Sequence, residues 1–249
     1  MASKKADQKF KNLTEELRND PNVLAFYLAG SMGKGMITKY SDYDSVIIVK
    51  DAAKAKYEKK YVQDFNDPEF DTSVRTISEL KKHAAFGSDM AWDRFNYYYL
   101  KVIFDKTGKV QKIIDKKTVI SEKEAKQIIS GNLDAFINQI YRSAKCRRDG
   151  NPIAAHLEAA ESILYFLNSI FALEYRNRPY YKYLAWDLEH HPLKKLPWKN
   201  GELIKKIMTV IKTGDEKTFL ELFNKTKPIF IKAGYKAIYD SWKGKYKVG

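Results

Sequence analysis

Cysteine is nearly absent from this chain: Cys146 is the one cysteine among 249 residues. A single thiol excludes an internal disulfide and any zinc site built from several cysteines. The chain also lacks a run of about 18 or more uncharged apolar residues, so we expect no membrane span. Its charged first residues, "MASKKADQKFKNLTEELRND", have no apolar centre of the kind found in signal peptides. We therefore expect a protein of the reducing cytoplasm.

Acidic residues are scarce compared with basic ones, and the formal net charge is +14. A basic surface of this kind attracts polyanions such as nucleic acid. The lysines, however, are scattered along the chain and form no stripe, which is typical of ordinary solvated surface. Charge alone therefore does not make nucleic acid the favoured partner.

The chain is long enough for two modest domains, and its texture changes once, near residue 119. Apolar runs with strand character occur before that point, and long segments with helical periodicity follow it. We therefore predict a mixed α/β fold (α+β): an N-terminal β-sheet domain flanked by helices, residues 1–119, and an all-α helical bundle, residues 120–249. The composition predicts no oligomeric state.

Within the first part, strands are predicted at residues 23–29, 43–51, 69–77 and 97–105, with "VQKII" as a strand returning from the turn at Gly108. Helices are predicted at residues 8–19, at 53–65 and from Ser78, which would serve as a helix cap. In the second part, the capping box formed by Ser121 and Glu124 opens a helix that continues to about Arg148. Further helices are predicted at 151–178, at 201–213 and beyond 215.

The stretch "YLAGSMGKGMITKYSDYDSVIIVK", residues 27–50, carries the most chemistry. Asp42 and Asp44 are two residues apart at the start of a strand, so an extended backbone would place their carboxylates on one face. Two adjacent carboxylates repel each other unless a cation lies between them, and such hard oxygen ligands suit Mg²⁺. At the end of the preceding strand, Gly30 and Ser31 would let backbone and hydroxyl groups approach a phosphate.

A third carboxylate, Asp71, opens the next predicted strand. A two-metal site for phosphoryl or nucleotidyl transfer needs carboxylates on adjacent strands. Asp71 would ligate a metal ion, act as a base on the attacking hydroxyl, or do both.

The combination of Gly30-Ser31, Asp42-Tyr43-Asp44 and the distal Asp71 resembles the signature of the polymerase-β-type nucleotidyltransferase superfamily. With Ser41 before the first aspartate, the pattern is most similar to the small bacterial adenylyltransferases that act on aminoglycoside and lincosamide antibiotics. The resemblance covers roughly residues 26–77.

The resemblance implies a sheet domain that carries the metals and a helical domain that closes a cleft over nucleotide and acceptor. It implies Mg²⁺ as cofactor, ATP or another nucleoside triphosphate as co-substrate and a small-molecule acceptor. Asp42, Asp44 and Asp71 would be both catalytic and metal-binding. The candidate nucleotide-binding residues are Gly30, Ser31, Ser41 and Lys182; Lys182 lies in "NRPYYKYLAWDLEHHPL", similar to the stretch where relatives place a phosphate-binding lysine.

Several alternatives remain open at this point. The paired aspartates would also suit a solvated turn, and Lys182 an ordinary surface position. Trp92, Tyr97 and Tyr98 fit core packing better than an acceptor-binding wall. At the level of function, the alternatives are a nucleotidyltransferase that acts on RNA ends or on a protein, as in toxin systems, and a non-catalytic nucleotide-binding regulator.

Overall fold

A computed structural model describes residues 4–63, 67–199 and 201–244 of the chain. It divides into two compact units, Met1–Val119 and Ile120–Gly249, and each is described by itself. No helix within the described residues is long and apolar enough to cross a bilayer.

The first unit is built on a four-stranded mixed sheet, in the order β3-β2-β1-β4. Strand β1 pairs antiparallel with both β2 and β4, whereas β2 and β3 are parallel. The mixed sheet with surrounding helices confirms the predicted fold class. The strands are β1 Val23–Leu28, β2 Tyr43–Val49, β3 Phe70–Thr76 and β4 Val102–Asp105.

Strand β2 is covered on both faces, as its continuous apolar run predicts. Ile47 and Val49 pack in one apolar cluster beneath α1, while Val46 and Ile48 pack in a second cluster on the opposite face. The helices of this unit are α1 Lys4–Asn19, α2 Gly30–Gly33, α3 Lys54–Glu58, α4 Ile77–Lys82 and α5 Val110–Lys117, with short 3₁₀ segments at Asp51–Ala53 and Ala91–Tyr97 and a π turn at Lys59–Gln63.

Two local predictions in this unit are wrong. "VQKII" forms helix α5 instead of a returning strand, because Val110 and Ile114, four residues apart, are both buried in the second cluster. Asp105 stabilises the start of α5 by accepting hydrogen bonds from the backbone N–H groups of Val110 and Gln111. Helix α4 is capped by Thr76 instead of Ser78, and Thr76 forms a capping box with Glu79.

The second unit is helical, and helices α6 and α7 form its centre. The capping box of Ser121 and Glu124 is present at the start of α6, as predicted, and Asn151 caps α7. Leu133, Phe136 and Phe166 are fully buried where these two helices pack. The helices are α6 Glu122–Arg148, α7 Pro152–Ala172, α8 Tyr181–His190, α9 Glu202–Thr213, α10 Glu216–Phe230 and α11 Lys236–Ser241, with a π turn at Ile231–Tyr235.

Candidate active site

Two carboxylates lie side by side at the N-terminal ends of the parallel strands. Asp44 and Asp71 are each the second residue of their strand, and they are register partners. Neighbouring strands are about 4.8 Å apart, and partnered residues on parallel strands face the same way. The structure therefore brings together two of the three predicted metal ligands.

Gly30 is required where it stands, because the Asp44 side chain occupies the space that a Cβ atom would need. A Cβ atom at Gly30 would lie 1.6 Å from Asp44 Oδ2. The backbone of Gly30 also has a φ of +53°, a conformation that glycine adopts without the steric cost paid by other residues. The backbone of Gly30 is thus in direct contact with the Asp44 carboxylate.

Ser31 and Ser41 close the loop between β1 and β2. Both are buried, and the Ser31 hydroxyl donates to Ser41 Oγ at 2.9 Å. Ser41 Oγ also accepts from the backbone N–H of Thr38 at 2.9 Å. A phosphate bound by Ser31 would have to compete with Ser41 for the hydroxyl proton of Ser31.

Asp42 is placed differently from its two partners. It is exposed and precedes β2, which begins at Tyr43, so the strand argument for a shared face does not extend to it. Asp42 is also not among the residues that line the cavity beside Asp44.

That cavity has a volume of about 220 Å³ and is lined mainly by polar groups. Asp44 of β2 and the alternating residues of β3 contribute from the sheet. The opposite wall comes from residues 83–99, which we call the wall segment. The polar and charged residues that line the cavity are Tyr27, Asp44, Ser45, Asp71, Ser73, Arg75, His83, Asp93, Asn96 and Tyr97.

The wall segment is joined to β3 by a chain of hydrogen bonds. Arg75 donates to Tyr97 Oη at 2.9 Å, and Tyr97 Oη lies 2.7 Å from His83 Nδ1. His83 Nε2 lies 3.4 Å from Asp93 Oδ2, and Asn96 donates to Asp93 Oδ1 at 2.5 Å. Burial, with the nearby positive charge of Arg75, lowers the pKa of His83, and burial raises that of Tyr97 to about 12.

Lys34 attaches the wall segment to helix α2. Its ammonium is buried and donates to the carbonyl oxygens of Phe95, Asn96 and Tyr98 at 3.3, 2.7 and 3.0 Å. Burial lowers the pKa of Lys34 to about 7. The three acceptors oppose this effect, because only the charged ammonium has a hydrogen for each of them.

The sequence reasoning missed most of this wall. Tyr97 is buried, as the core interpretation required, but it also lines the cavity. Tyr98 is buried and stacks on Phe95, while Trp92 is 65% exposed. The alternation of Asp71, Ser73 and Arg75 on one face of β3 was the available signal for Arg75.

The first unit is similar to a known family of domains. Residues 10–130 match the nucleotidyltransferase domain. This range contains all four strands and each predicted site residue except Lys182. The match indicates nucleotidyl transfer as the general reaction and a transferase as the class of enzyme.

A likeness to a solved structure is more distant. The crystal structure of a nucleotidyltransferase-like protein from Exiguobacterium sibiricum 255-15 is 9% identical, with a TM-score of 0.42 over 89% of this chain and 75% of that one. A likeness at this level decides neither the activity nor the acceptor. No curated protein matches the sequence.

Nucleotidyltransferase domains, the family that residues 10–130 match, generally use a nucleoside triphosphate and a divalent metal ion. Within the described residues, no group of three or more His, Cys, Asp or Glu side chains is close enough to hold a metal ion. The adjacent Asp44 and Asp71 nevertheless supply the hard oxygen donors that Mg²⁺ prefers. The donor set of the domain therefore fits a metal whose remaining ligands are water and phosphate.

Lys182 lies outside the matched residues 10–130, on helix α8 of the second unit. Its side chain is exposed, and its ammonium lies 5.3 Å from the centre of the Tyr183 ring. Its assignment to phosphate binding stays a prediction.

Proposed function

We propose that the protein is a Mg²⁺-dependent nucleotidyltransferase that transfers a nucleoside monophosphate, with ATP as the expected donor, to a hydroxyl group of a small-molecule acceptor. The observation that carries the proposal is the register pairing of Asp44 with Asp71, beside a glycine whose missing Cβ makes room for the Asp44 carboxylate.

In this reaction the acceptor oxygen attacks the α-phosphorus, and the bond from that phosphorus to the bridging oxygen of the β-phosphate breaks. Pyrophosphate leaves with the bonding electrons, and the hydroxyl proton passes to the Asp71 carboxylate. Asp44 and Asp71 are the residues proposed to hold Mg²⁺, which when bound would neutralise charge on the phosphates, and Asp42 stays a predicted third ligand. Gly30, Ser31 and Ser41 shape the loop proposed to receive the β- and γ-phosphates.

The acceptor classes that the resemblance implies are aminoglycosides and lincosamides, and a role in antibiotic resistance would follow from either. RNA ends or a protein are the alternative acceptors, and a non-catalytic nucleotide-binding regulator is the third possibility. Lys182 stays the candidate phosphate-binding lysine of residues 120–249, the proposed cleft-closing domain, and Lys182→Met tests that assignment separately.

The test is transfer of label from α-³²P-ATP, with MgCl₂ or with EDTA, to a panel of aminoglycosides, lincosamides and small polyols. We expect labelled product that requires Mg²⁺, and a loss of about a hundredfold or more in Asp44→Asn. Asp51→Asn is the matched control, because Asp51 is an exposed aspartate outside the wall segment and outside the cavity lining. Equal labelling by Asp44→Asn and the parent would contradict the proposal.

A further inference from the structure

Arg75 is the residue of the cavity whose purpose the proposed reaction leaves unexplained. It shares one face of β3 with Asp71 and Ser73, and all three line the same cavity as Asp44. It is half-buried. The guanidinium lies beside two carboxylates that are proposed to bind a metal ion, and the proposed reaction gives it no role.

The direction of each hydrogen bond around Arg75 follows from its chemistry. A guanidinium can only donate, so Tyr97 accepts from Arg75 and gives its own proton to His83 Nδ1. His83 then carries its proton on Nε2, facing Asp93 Oδ2 at 3.4 Å. The chain Arg75–Tyr97–His83–Asp93 therefore fixes the guanidinium in place from one side.

The other side of the guanidinium is available. Within the described part of the chain, Arg75 makes one hydrogen bond, to Tyr97, and no ion pair with a carboxylate. Most of its N–H groups therefore have no protein acceptor, although they lie at a cavity. An anchored guanidinium with open donors matches the oxygens of a phosphate or carboxylate, which it binds in a bidentate manner.

The order of the strands separates this guanidinium from the proposed phosphate loop. Gly30 and Ser31 follow β1, whereas Arg75 belongs to β3, and β2 lies between them with Asp44. Strands β1 and β3 are therefore about 10 Å apart. With the β- and γ-phosphates on the β1 side and the α-phosphate over Asp44, the β3 side is left for the acceptor.

We propose that Arg75 binds an anionic group of the acceptor, a phosphate or a carboxylate, and that Tyr97 and His83 are positioning residues that hold its guanidinium. This inference rests on the proposed function and narrows its acceptor to an anionic hydroxy compound. A polycationic antibiotic would place ammonium groups against the guanidinium.

The binding test uses inorganic phosphate as the probe, titrated into the full-length protein saturated with Mg²⁺ and a non-hydrolysable ATP analogue. We expect saturable phosphate binding, weakened about tenfold or more in Arg75→Met and partly retained in Arg75→Lys, which keeps the charge without the planar fork. Arg148→Met is the control for the lost charge, because Arg148 is an exposed arginine on α6. Absence of binding to the parent, or equal binding by Arg75→Met, would overturn the proposal.

The transfer test pairs each anionic acceptor with its neutral counterpart: ribose 5-phosphate with ribose, and glycerol 3-phosphate with glycerol. We expect kcat/KM to favour the anionic member about tenfold or more, and Arg75→Met to remove that preference by raising KM for the acceptor while KM for ATP is unchanged. Tyr97→Phe should give an intermediate loss. A rise in KM for ATP in Arg75→Met, with the acceptor preference intact, would assign the guanidinium to the nucleotide phosphates and overturn the proposal.

The two tests separate failure of this inference from failure of the proposed function. Transfer to neutral acceptors that is insensitive to Arg75→Met would leave the nucleotidyltransferase standing and remove the anion site. Phosphate binding that depends on Arg75, without transfer to any acceptor, would keep the anion site and remove the transferase. Circular dichroism of each variant establishes that the changes do not arise from unfolding.

Discussion

The wall segment of the first unit and the α6–α7 pair of the second are held in place by different means. The helices pack through an apolar interior that includes Phe136, Phe166 and Ile170. The wall segment is irregular: it has positive φ at Ala84 and Tyr99 and passes through a 3₁₀ turn, although Ala84, Phe95 and Tyr97 are buried. Buried cations add to its attachment.

Three of these cations donate to backbone carbonyl oxygens. Lys34 binds carbonyls inside the wall segment, Lys117 reaches the carbonyls of Lys81 and His83, and Arg94 of the segment itself reaches those of Lys117 and Val119. Burying charges is costly, and it is repaid here by hydrogen bonds to backbone that has no helix or sheet partner. The cavity wall is therefore irregular backbone that is fixed where these buried cations bind its carbonyl oxygens or donate from it. This arrangement is expected of a functional site.

The largest predicted effect tests the helical side of this comparison. Among the described residues of the second unit, Asp187 is the buried charged residue, and its carboxylate pairs with Arg176 at 2.5 Å. Asp187→Ala should lower the free energy of unfolding by about 3–5 kcal/mol, because it leaves a guanidinium without its buried partner.

Urea unfolding followed by circular dichroism measures this change, with the exposed Glu189→Ala on the same helix as the control. Because Asp187 is fully buried and does not line the cavity of the first unit, nucleotidyl transfer by the folded variant should stay at the parent level. A midpoint that does not move would show that the pair contributes nothing to stability.

The second prediction removes one attachment of the wall segment. Lys34→Met should lower the free energy of unfolding by about 3 kcal/mol, because buried carbonyls of Phe95, Asn96 and Tyr98 lose their donor. Hydrogen exchange at residues 95–98 should accelerate, and the exposed Lys101→Met is the control. Unchanged exchange would mean that the segment is held without Lys34.

The third prediction compares two glycines of the loop between β1 and β2. Gly30 and Gly35 have φ of +53° and +74°, so the backbone strain of alanine should cost about 1 kcal/mol of stability at either position, and the overlap with Asp44 adds to that cost at Gly30. Only at Gly30 would the new Cβ meet Asp44, since no atom lies within 4 Å of a Cβ at Gly35.

Gly30→Ala should therefore lower kcat for nucleotidyl transfer about tenfold or more by displacing the Asp44 carboxylate, while Gly35→Ala should not. Thermal unfolding and the labelling assay measure the two effects independently. A similar loss of activity in both variants would assign the effect to backbone strain and not to the carboxylate.

What the sequence predicted well is local or is set by a single strand. The covered strand β2 and the capping box at Ser121 both follow from patterns within a few tens of residues. A short local pattern is not always sufficient. The apolar pattern of Val110 to Ile114 is compatible with a strand or a helix, and the burial of both residues in the tertiary structure favours the helix.

The cavity wall could not be predicted, because its members are brought together by tertiary structure. Arg75, His83, Asp93 and Tyr97 belong to a strand, a helix end and a 3₁₀ turn, and no fixed spacing relates them. Lys34 is a buried cation whose partners are backbone carbonyls, so no complementary side chain marks it in the sequence. Interactions with irregular backbone leave no periodic signal.

The smallest predicted effect concerns pH and the wall segment alone. Burial and the charges of Arg75 and Lys117 hold the pKa of His83 below its ordinary value of 6.5, while Asp93 acts in the opposite direction. As pH falls below 6.5, the unfolded chain takes up a proton at this position that the folded protein does not. The stability that His83 contributes is therefore fully present above pH 6.5 and is lost on acidification, at no more than about 1.4 kcal/mol per pH unit.

Urea midpoints of the parent and His83→Gln between pH 5 and 7.5 measure the difference, and the variant should show the shallower dependence of the midpoint on pH. Equal slopes would place His83 in a solvated position and remove it from the hydrogen-bond chain that holds Arg75.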